Sequence, residues 1–359
     1  MTGHRTRAPR KGKPGRIKAP SSPVVNPPAS SPATDEALSD LPTVVDEAVK
    51  PELEPGVPAA AAQRSTSAGA LPVPVIIPLS EWQICGEAVT GLAHRRNGLP
   101  CQDAVAWHST TRPILALSDG AGSAVVSERG AVALVSGVSR FIVSMEDAVS
   151  PWLDGTAGNA REQAELWSRR LLTHARGLLD DLAHAERRNV REVRATLLLA
   201  MVGTVRSFWW QVGDGAIVAQ SVDGLRVLTD TVKAKGEFAN QTCFVDMASS
   251  VDVQFGLLST SEIFGLALMS DGGAEKLVAH DGSRIAPRVG KWFDAVAQQM
   301  FSADKIALAY HEPEMWERTS LDDRSVVLTA RSVALPIKRQ VHDSDHSSTH
   351  GSPHLATDR

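Results

Sequence analysis

The sequence predicts an α+β fold, antiparallel strands carrying amphipathic helices, and three observations point to it. Four short apolar segments (196–202, 207–212, 216–220 and 225–228) follow one another with turn residues between them. That spacing marks an antiparallel meander and not parallel strands joined by helices. Two stretches before it repeat apolar residues at helical spacing. Finally, three apolar runs, ILALSDG, FWWQVGDG and IFGLALMSDG, each close on an Asp-Gly pair.

Taken in order, residues 1–78 are expected to be a disordered arm. Met1 to Lys18 carries seven Lys or Arg and no acid; Pro, Ser and Ala then dominate, with an acidic patch from Asp35 to Glu54. So little apolar surface does not offset the entropy of ordering the chain. Order is expected from Leu79 to 335, and a polar tail with several histidines over 336–359. Gln83 to Gly91 reads as the first strand, His94 to Gly98 as a polar turn, and Ala104 to His108 as the second strand. Ile114 to Leu117 is a buried strand that stops at Ser118-Asp119-Gly120.

The first helical stripe is Ala131, Leu134, Val135, Val138, Phe141, Ile142 and Met145. The second runs over 160–188, with Ala164, Trp167, Leu171, Ala175, Leu178 and Leu182 on one face. One apolar stripe on each helix predicts that the pair lies side by side on a sheet. After the meander, 229–260 reads as irregular, Ile263 to Met269 as a buried strand, Gly290 to Phe301 as a helix and Ser325 to Arg331 as the last strand.

Composition narrows the class. A chain of 359 residues with 43% hydrophobic content supports a large core. The net charge of −4 calls for neither nucleic acid nor membrane as a partner. Cys85, Cys101 and Cys243 lie far apart without CxxC spacing, which excludes a disulfide framework or zinc site and points to a reducing cytoplasm. No apolar stretch follows the basic first residues, and no run is long enough to span a membrane.

Function is sought in the carboxylates. Six Asp-Gly pairs occur, at Asp119, Asp154, Asp214, Asp223, Asp271 and Asp281. Taken singly, Asp-Gly is a common turn, and Asp223-Gly224 reads as a hairpin. The apolar runs, however, place Asp103, Asp119, Asp214, Asp271 and Asp322 at strand edges. Carboxylates gathered in that way repel one another, and hard divalent cations relieve the repulsion. All-oxygen donors select Mg²⁺ or Mn²⁺, and two such ions activate a water for attack on a phosphoryl group.

The motifs CQD, SDGAGSA, TLL, VGDG, GEFANQT, MSDGG and DDRSVVL occur in that order from Gln83 to Arg331. In this the chain resembles the metal-dependent protein phosphatases of the PP2C (PPM) type, and the variants CQD, DGAGSA and GEFANQT resemble a bacterial branch. The resemblance implies a four-layer α/β/β/α sandwich of two antiparallel sheets and hydrolysis of phosphoserine or phosphothreonine by a metal-activated water. It implies that Asp119 bridges two Mn²⁺ or Mg²⁺ ions, one coordinated through water by the Gly120 carbonyl. Asp271 and Asp322 would complete the coordination of the first ion, Asp103 would help hold the waters of the second, and Asp214 with Asp271 would form a third, weaker position. Asp103, Asp119, Asp271 and Asp322 are accordingly the expected catalytic set. The implied partner is a phosphorylated protein, the substrate of a Ser/Thr kinase; the chain is expected to act as a cytoplasmic monomer.

Three positions depart from the family pattern. Gln102 stands where many members carry Glu, Ala121 replaces the histidine of DGH, and Gly98 falls where the phosphate-binding Arg is expected. Arg95 or Arg96 is the candidate replacement for that Arg. These departures keep open a second reading, a catalytically weakened domain that binds a phosphoprotein or partner. In a third, the basic arm acts and the folded domain regulates it. Neighbours on a strand face opposite ways, so Asp322 and Asp323 are not expected to reach the same ion. The resemblance implies that the first is the ligand and that the second, often Asn in the family, tolerates Asp323→Asn with most activity and Mn²⁺ binding kept.

Overall fold

The structure, a computed structural model, describes residues 75–155, 158–230 and 242–332. They belong to one of two units of the chain, Gly69–Arg359; the other, Met1–Ala68, lies outside the described residues. So do nearly all of the expected arm, the GEFANQ stretch and the histidine-bearing tail.

In chain order the elements are β1 (Trp82–Val89), α1 (Leu92–Asn97), β2 (Asp103–His108), β3 (Ile114–Asp119), α2 (Ser127–Ser144), α3 (Glu146–Leu153) and α4 (Ala160–Ala185). There follow β4 (Leu197–Val202), β5 (Arg206–Val212), β6 (Ala216–Ser221), β7 (Gly224–Val227), β8 (Gln254–Ser259) and β9 (Ile263–Met269). The last are α5 (Asp271–Ala274), α6 (Pro287–Ala297), α7 (Ala303–His311), α8 (Pro313–Trp316) and β10 (Arg324–Arg331). Two five-stranded sheets form, ordered β1-β10-β9-β6-β7 and β2-β3-β4-β5-β8, with every pairing antiparallel.

Side-chain alternation builds the layers. On β3, Ile114 and Ala116 face α2 and α4, while Leu115 and Leu117 face the other sheet. Leu198 and Ala200 do the same on β4, meeting Ile217, Ala219, Leu266 and Leu268 from β6 and β9. On the far side, Val218, Ala267, Met269 and Leu328 pack under Trp292 and Phe293 of α6 and Ile306 and Tyr310 of α7. The result is an α/β/β/α sandwich. Strands buried on both faces read as continuous apolar runs, which is why the runs ending at Asp119 and Asp271 carry so little polar alternation. Each fully buried Leu or Val in these layers contributes about 1.5–3 kcal/mol.

Several expectations need correction. The polar turn expected at His94 to Gly98 is the helix α1, closed by Gly98 in a left-handed conformation. The irregular 229–260 contains β8, the edge strand paired with β5. Neither α3 nor α7 was expected, since each is short and amphipathic over barely two turns. The structure also holds a fully buried cation, Arg112, gripped by Glu146 at 2.5 Å and Asp154 at 2.8 Å. The pair of carboxylates offsets the large cost of burying that charge, and it ties the β2–β3 turn to α3.

Candidate metal centre

Register delivers the carboxylates. In the β2–β3 pairing Asp103 sits directly opposite Asp119. Thr196, just before β4, braces Asp119 on both sides: its hydroxyl accepts from the Asp119 N–H at 3.0 Å, and its own N–H donates to the Asp119 carbonyl at 2.8 Å. In the other sheet β9 and β10 run antiparallel, so Asp271, after the end of β9, lies beside Asp322, just ahead of β10. Because β6 pairs with β9 at Ala216–Met269, Asp214 falls at the same edge. The two sheets thus bring all five carboxylates to one rim of the sandwich.

Two glycines make this approach possible. A Cβ on Gly120 would stand 2.7 Å from Ser127 Cβ and 2.9 Å from the Gln102 carbonyl oxygen; one on Gly272 would stand 2.2 Å from the Asp323 carbonyl. Ser270 caps α5 by accepting from Gly273 N–H at 3.2 Å and also accepts from Ser325 N–H at 3.1 Å. That hydroxyl therefore stitches the turn carrying Asp271 to β10.

The electrostatics follow from crowding. Burial pushes the Asp103 carboxyl up to about 7, with Asp323 and Asp271 adding to the shift and the Ser325 and Ser270 hydroxyls opposing it. Asp119 is raised well above the usual carboxylate range by burial and by Asp103, Asp271 and Asp322. Asp271 rises to about 6, first by desolvation and then by Asp214. Each carboxylate disfavours ionisation of the next. Asp103 Oδ2 is buried without a hydrogen-bond partner, a costly state for an anionic oxygen. Mutual repulsion, all-oxygen donors and an orphaned buried carboxylate oxygen together fit a hard divalent cation.

Asp322 and Asp323 are sharply different. Asp322 is exposed, and its charge acts on Asp119 and Asp271. Asp323 is 2% exposed and fully engaged: it accepts from Gly91 N–H at 2.6 Å, from Gln102 N–H at 2.5 Å, and pairs with His94 Nδ1 at 2.8 Å. It therefore anchors the β1–β2 connection to the start of β10. His94, Asp322 and Asp323 have ligand atoms within 4.8 Å of one another, yet Asp323's oxygens are already taken by N–H donors.

The departures noted in the sequence also acquire positions. Gln102 uses its backbone, accepting from Gly120 N–H at 3.1 Å, and its Oε1 lies near Gly122. Ala121 is buried, with its N–H donated to the Arg194 carbonyl. Arg95 is engaged elsewhere: its guanidinium lies 5.7 Å over Trp316, and its charge reaches His311. Arg96 is exposed on α1. Neither arginine is in contact with the carboxylates among the described residues.

Sequence reasoning missed Ser270, Ser325, Asp323 and His94. Their roles rest on bonds between segments as much as 232 residues apart, for which no local pattern exists. Thr196, Ser270, Asp323 and Ser325 fall within the motifs TLL, MSDGG and DDRSVVL, which mark their positions but not these bonds, and His94 has no such signal.

A sandwich of two antiparallel sheets with carboxylates converging on one rim presents an all-oxygen donor set suited to hard divalent cations. The sequence profile of the family described as Protein phosphatase 2C matches residues 90–308, more than half of the chain. The chain belongs to the protein phosphatase 2C family. Among solved structures it is similar to the serine/threonine phosphatase Stp1 from Staphylococcus aureus, at 16% identity over 74% of this chain and 99% of that one, with a TM-score of 0.47. The serine/threonine phosphatase PstP/Ppp of Mycobacterium tuberculosis matches at 14% identity over 70% and 99%, TM-score 0.47. A PstP catalytic domain solved with two manganese ions matches at 14% over 69% and 97%, TM-score 0.46. No curated protein matches the chain in sequence.

Proposed function

We propose that the chain is a Mn²⁺- or Mg²⁺-dependent phosphatase acting on phosphoserine or phosphothreonine in proteins. The observation that carries this reading is the convergence of Asp103, Asp119, Asp214, Asp271 and Asp322 on one rim, with a buried Asp103 oxygen left without a partner. Membership of the family supports it. Asp119, opposite Asp103 at the end of β3, would hold divalent ions together with Asp103, Asp271 and Asp322, and Asp214 with Asp271 would offer a further position. Bound there, divalent ions supply Lewis-acid stabilisation of a transferring phosphoryl group. The chain's own part is to hold the carboxylates rigid through Thr196, Ser270 and Asp323 and to keep Asp103 away from bulk water.

The test is hydrolysis of an aryl phosphate and of a phosphothreonine peptide across a Mn²⁺ titration, with EDTA as control. Turnover that requires Mn²⁺, together with a rise in melting temperature on loading, is expected. The absence of both would remove the reading. A second reading, a weakened domain that binds a phosphoprotein without turnover, is favoured by one observation: Arg95 is committed to Trp316, and no described arginine contacts the rim. Mn²⁺ binding with no turnover on any phosphoester would support that alternative. The three cysteines, all free thiols, agree with a reducing cytoplasm, which we propose as its location.

A further inference from the structure

A cavity of about 290 Å³ adjoins the carboxylate rim, its lining including Asp214 and Asp271 of the rim together with Val278 and His280. Glu275 and Ser320 also line it. Glu275 is exposed, and its carboxylate is held in place by Ser320, which donates its N–H at 2.9 Å and its hydroxyl at 2.7 Å. Both donors are neutral, and among the described residues no cation forms an ion pair with the carboxylate. The buried Arg324 acts on it electrostatically but is committed to the Met315 carbonyl and the Thr319 hydroxyl. Among the described residues lining the cavity none is Lys or Arg. Once ions occupy the rim, the charges of Asp214 and Asp271 are offset, and Glu275 remains the acid facing the space.

We infer that this cavity receives a residue flanking the phosphorylated position of a peptide substrate, and that Glu275 makes the site select a basic one, Lys or Arg. The inference rests on the phosphatase reading for its catalytic meaning. The cavity adjoins Asp271, so a chain whose phosphate sits on the rim has its neighbouring side chain within the space. The apolar lining residues Ala216, Ala274 and Val278 suit the methylene stem of Lys or Arg, with the charged head at Glu275. Charge complementarity of this type sets specificity more than raw affinity.

The experiment uses the full chain loaded with Mn²⁺ and three phosphothreonine peptides that differ only in flanking residues: Arg, Ala or Glu. At low salt kcat/KM is expected to be roughly fivefold higher for the Arg than for the Ala peptide, the scale of one solvent-accessible ion pair, and to fall as salt is raised. Glu275→Gln should erase that preference while leaving aryl phosphate hydrolysis unchanged, and Glu275→Lys should turn it toward the Glu peptide. An equal rate for the three peptides, or an Arg preference that survives Glu275→Gln, overturns the inference. If aryl phosphate is not hydrolysed at all, the phosphatase reading fails on its own. The same peptides, fluorescently labelled, then read the cavity by binding: tighter binding of the Arg peptide, lost in Glu275→Gln, supports it, and equal binding overturns it.

Discussion

Asp323 offers the sharpest test of how the rim is held together. Its two oxygens accept from Gly91 N–H at 2.6 Å and Gln102 N–H at 2.5 Å and pair with His94 at 2.8 Å. An asparagine there has one oxygen and one NH₂. Whichever way the amide turns, an NH₂ faces a backbone N–H, so one donor in a buried setting loses its acceptor. Such a loss costs about 1–3 kcal/mol. In a domain of this size each kcal/mol moves the melting temperature by roughly 2–4 °C, so Asp323→Asn is expected to melt roughly 2–12 °C lower. Asp323→Ala strands both backbone donors and should cost about twice as much, a large share of a typical total stability of about 5–15 kcal/mol. The tolerance implied by the resemblance concerned activity and Mn²⁺ binding; the structure adds that Asp323 is needed as an acceptor for stability. Differential scanning fluorimetry on metal-free protein reads the melting shift, and calorimetry at a temperature where the variant is folded reads Mn²⁺ affinity. A variant that melts with the wild type but loses Mn²⁺ affinity would refute the reasoning, since it would make Asp323 a ligand and not an anchor.

Asp322→Asn should behave oppositely: its side chain is exposed, so metal-free stability should stay within about 0.5 kcal/mol, while Mn²⁺ affinity and kcat fall by orders of magnitude; retained kcat at saturating Mn²⁺ would count against Asp322 as a ligand. The rim also predicts a pH effect. Asp103 and Asp271 titrate in the fold at about 7 and about 6, above the ordinary 3.8. Between those limits the folded chain holds protons the unfolded chain has released, so metal-free stability is greatest at low pH and is lost as pH rises through 6–7. Melting in EDTA should therefore drop from pH 5 to 7.5, and Mn²⁺ should stabilise most at the upper end; a metal-free melting temperature that climbs over that window would contradict the crowding. Gly120→Ala, whose new methyl group meets Ser127 Cβ at 2.7 Å, should separate the β3 end from α2 and cost more than 1 kcal/mol by overpacking, read as a lowered denaturant midpoint.

By itself the sequence determined an antiparallel α+β fold and which aspartates close its apolar runs, whereas the four layers were implied only by the family resemblance. Continuous apolar runs ending in Asp-Gly located β3 and β9 and placed Asp119, Asp214 and Asp271 at strand ends, because a strand buried on both faces has to break at its first charge. The helical stripes of α2 and α4 were legible for the same reason: a single buried face imposes a 3.6-residue period. Shorter elements escaped, since two turns of α7 or the lone edge strand β8 carry too few residues to set a period. Only the tertiary structure decided which of two adjacent aspartates faces the rim and which is consumed by Gly91, Gln102 and His94, because those donors lie more than 200 residues away along the chain. It also turned Arg95 to Trp316 and set Glu275 on the wall of a cavity. These are consequences of packing between α1, α8 and the two sheets, where direction in space depends on neighbours that no local pattern specifies.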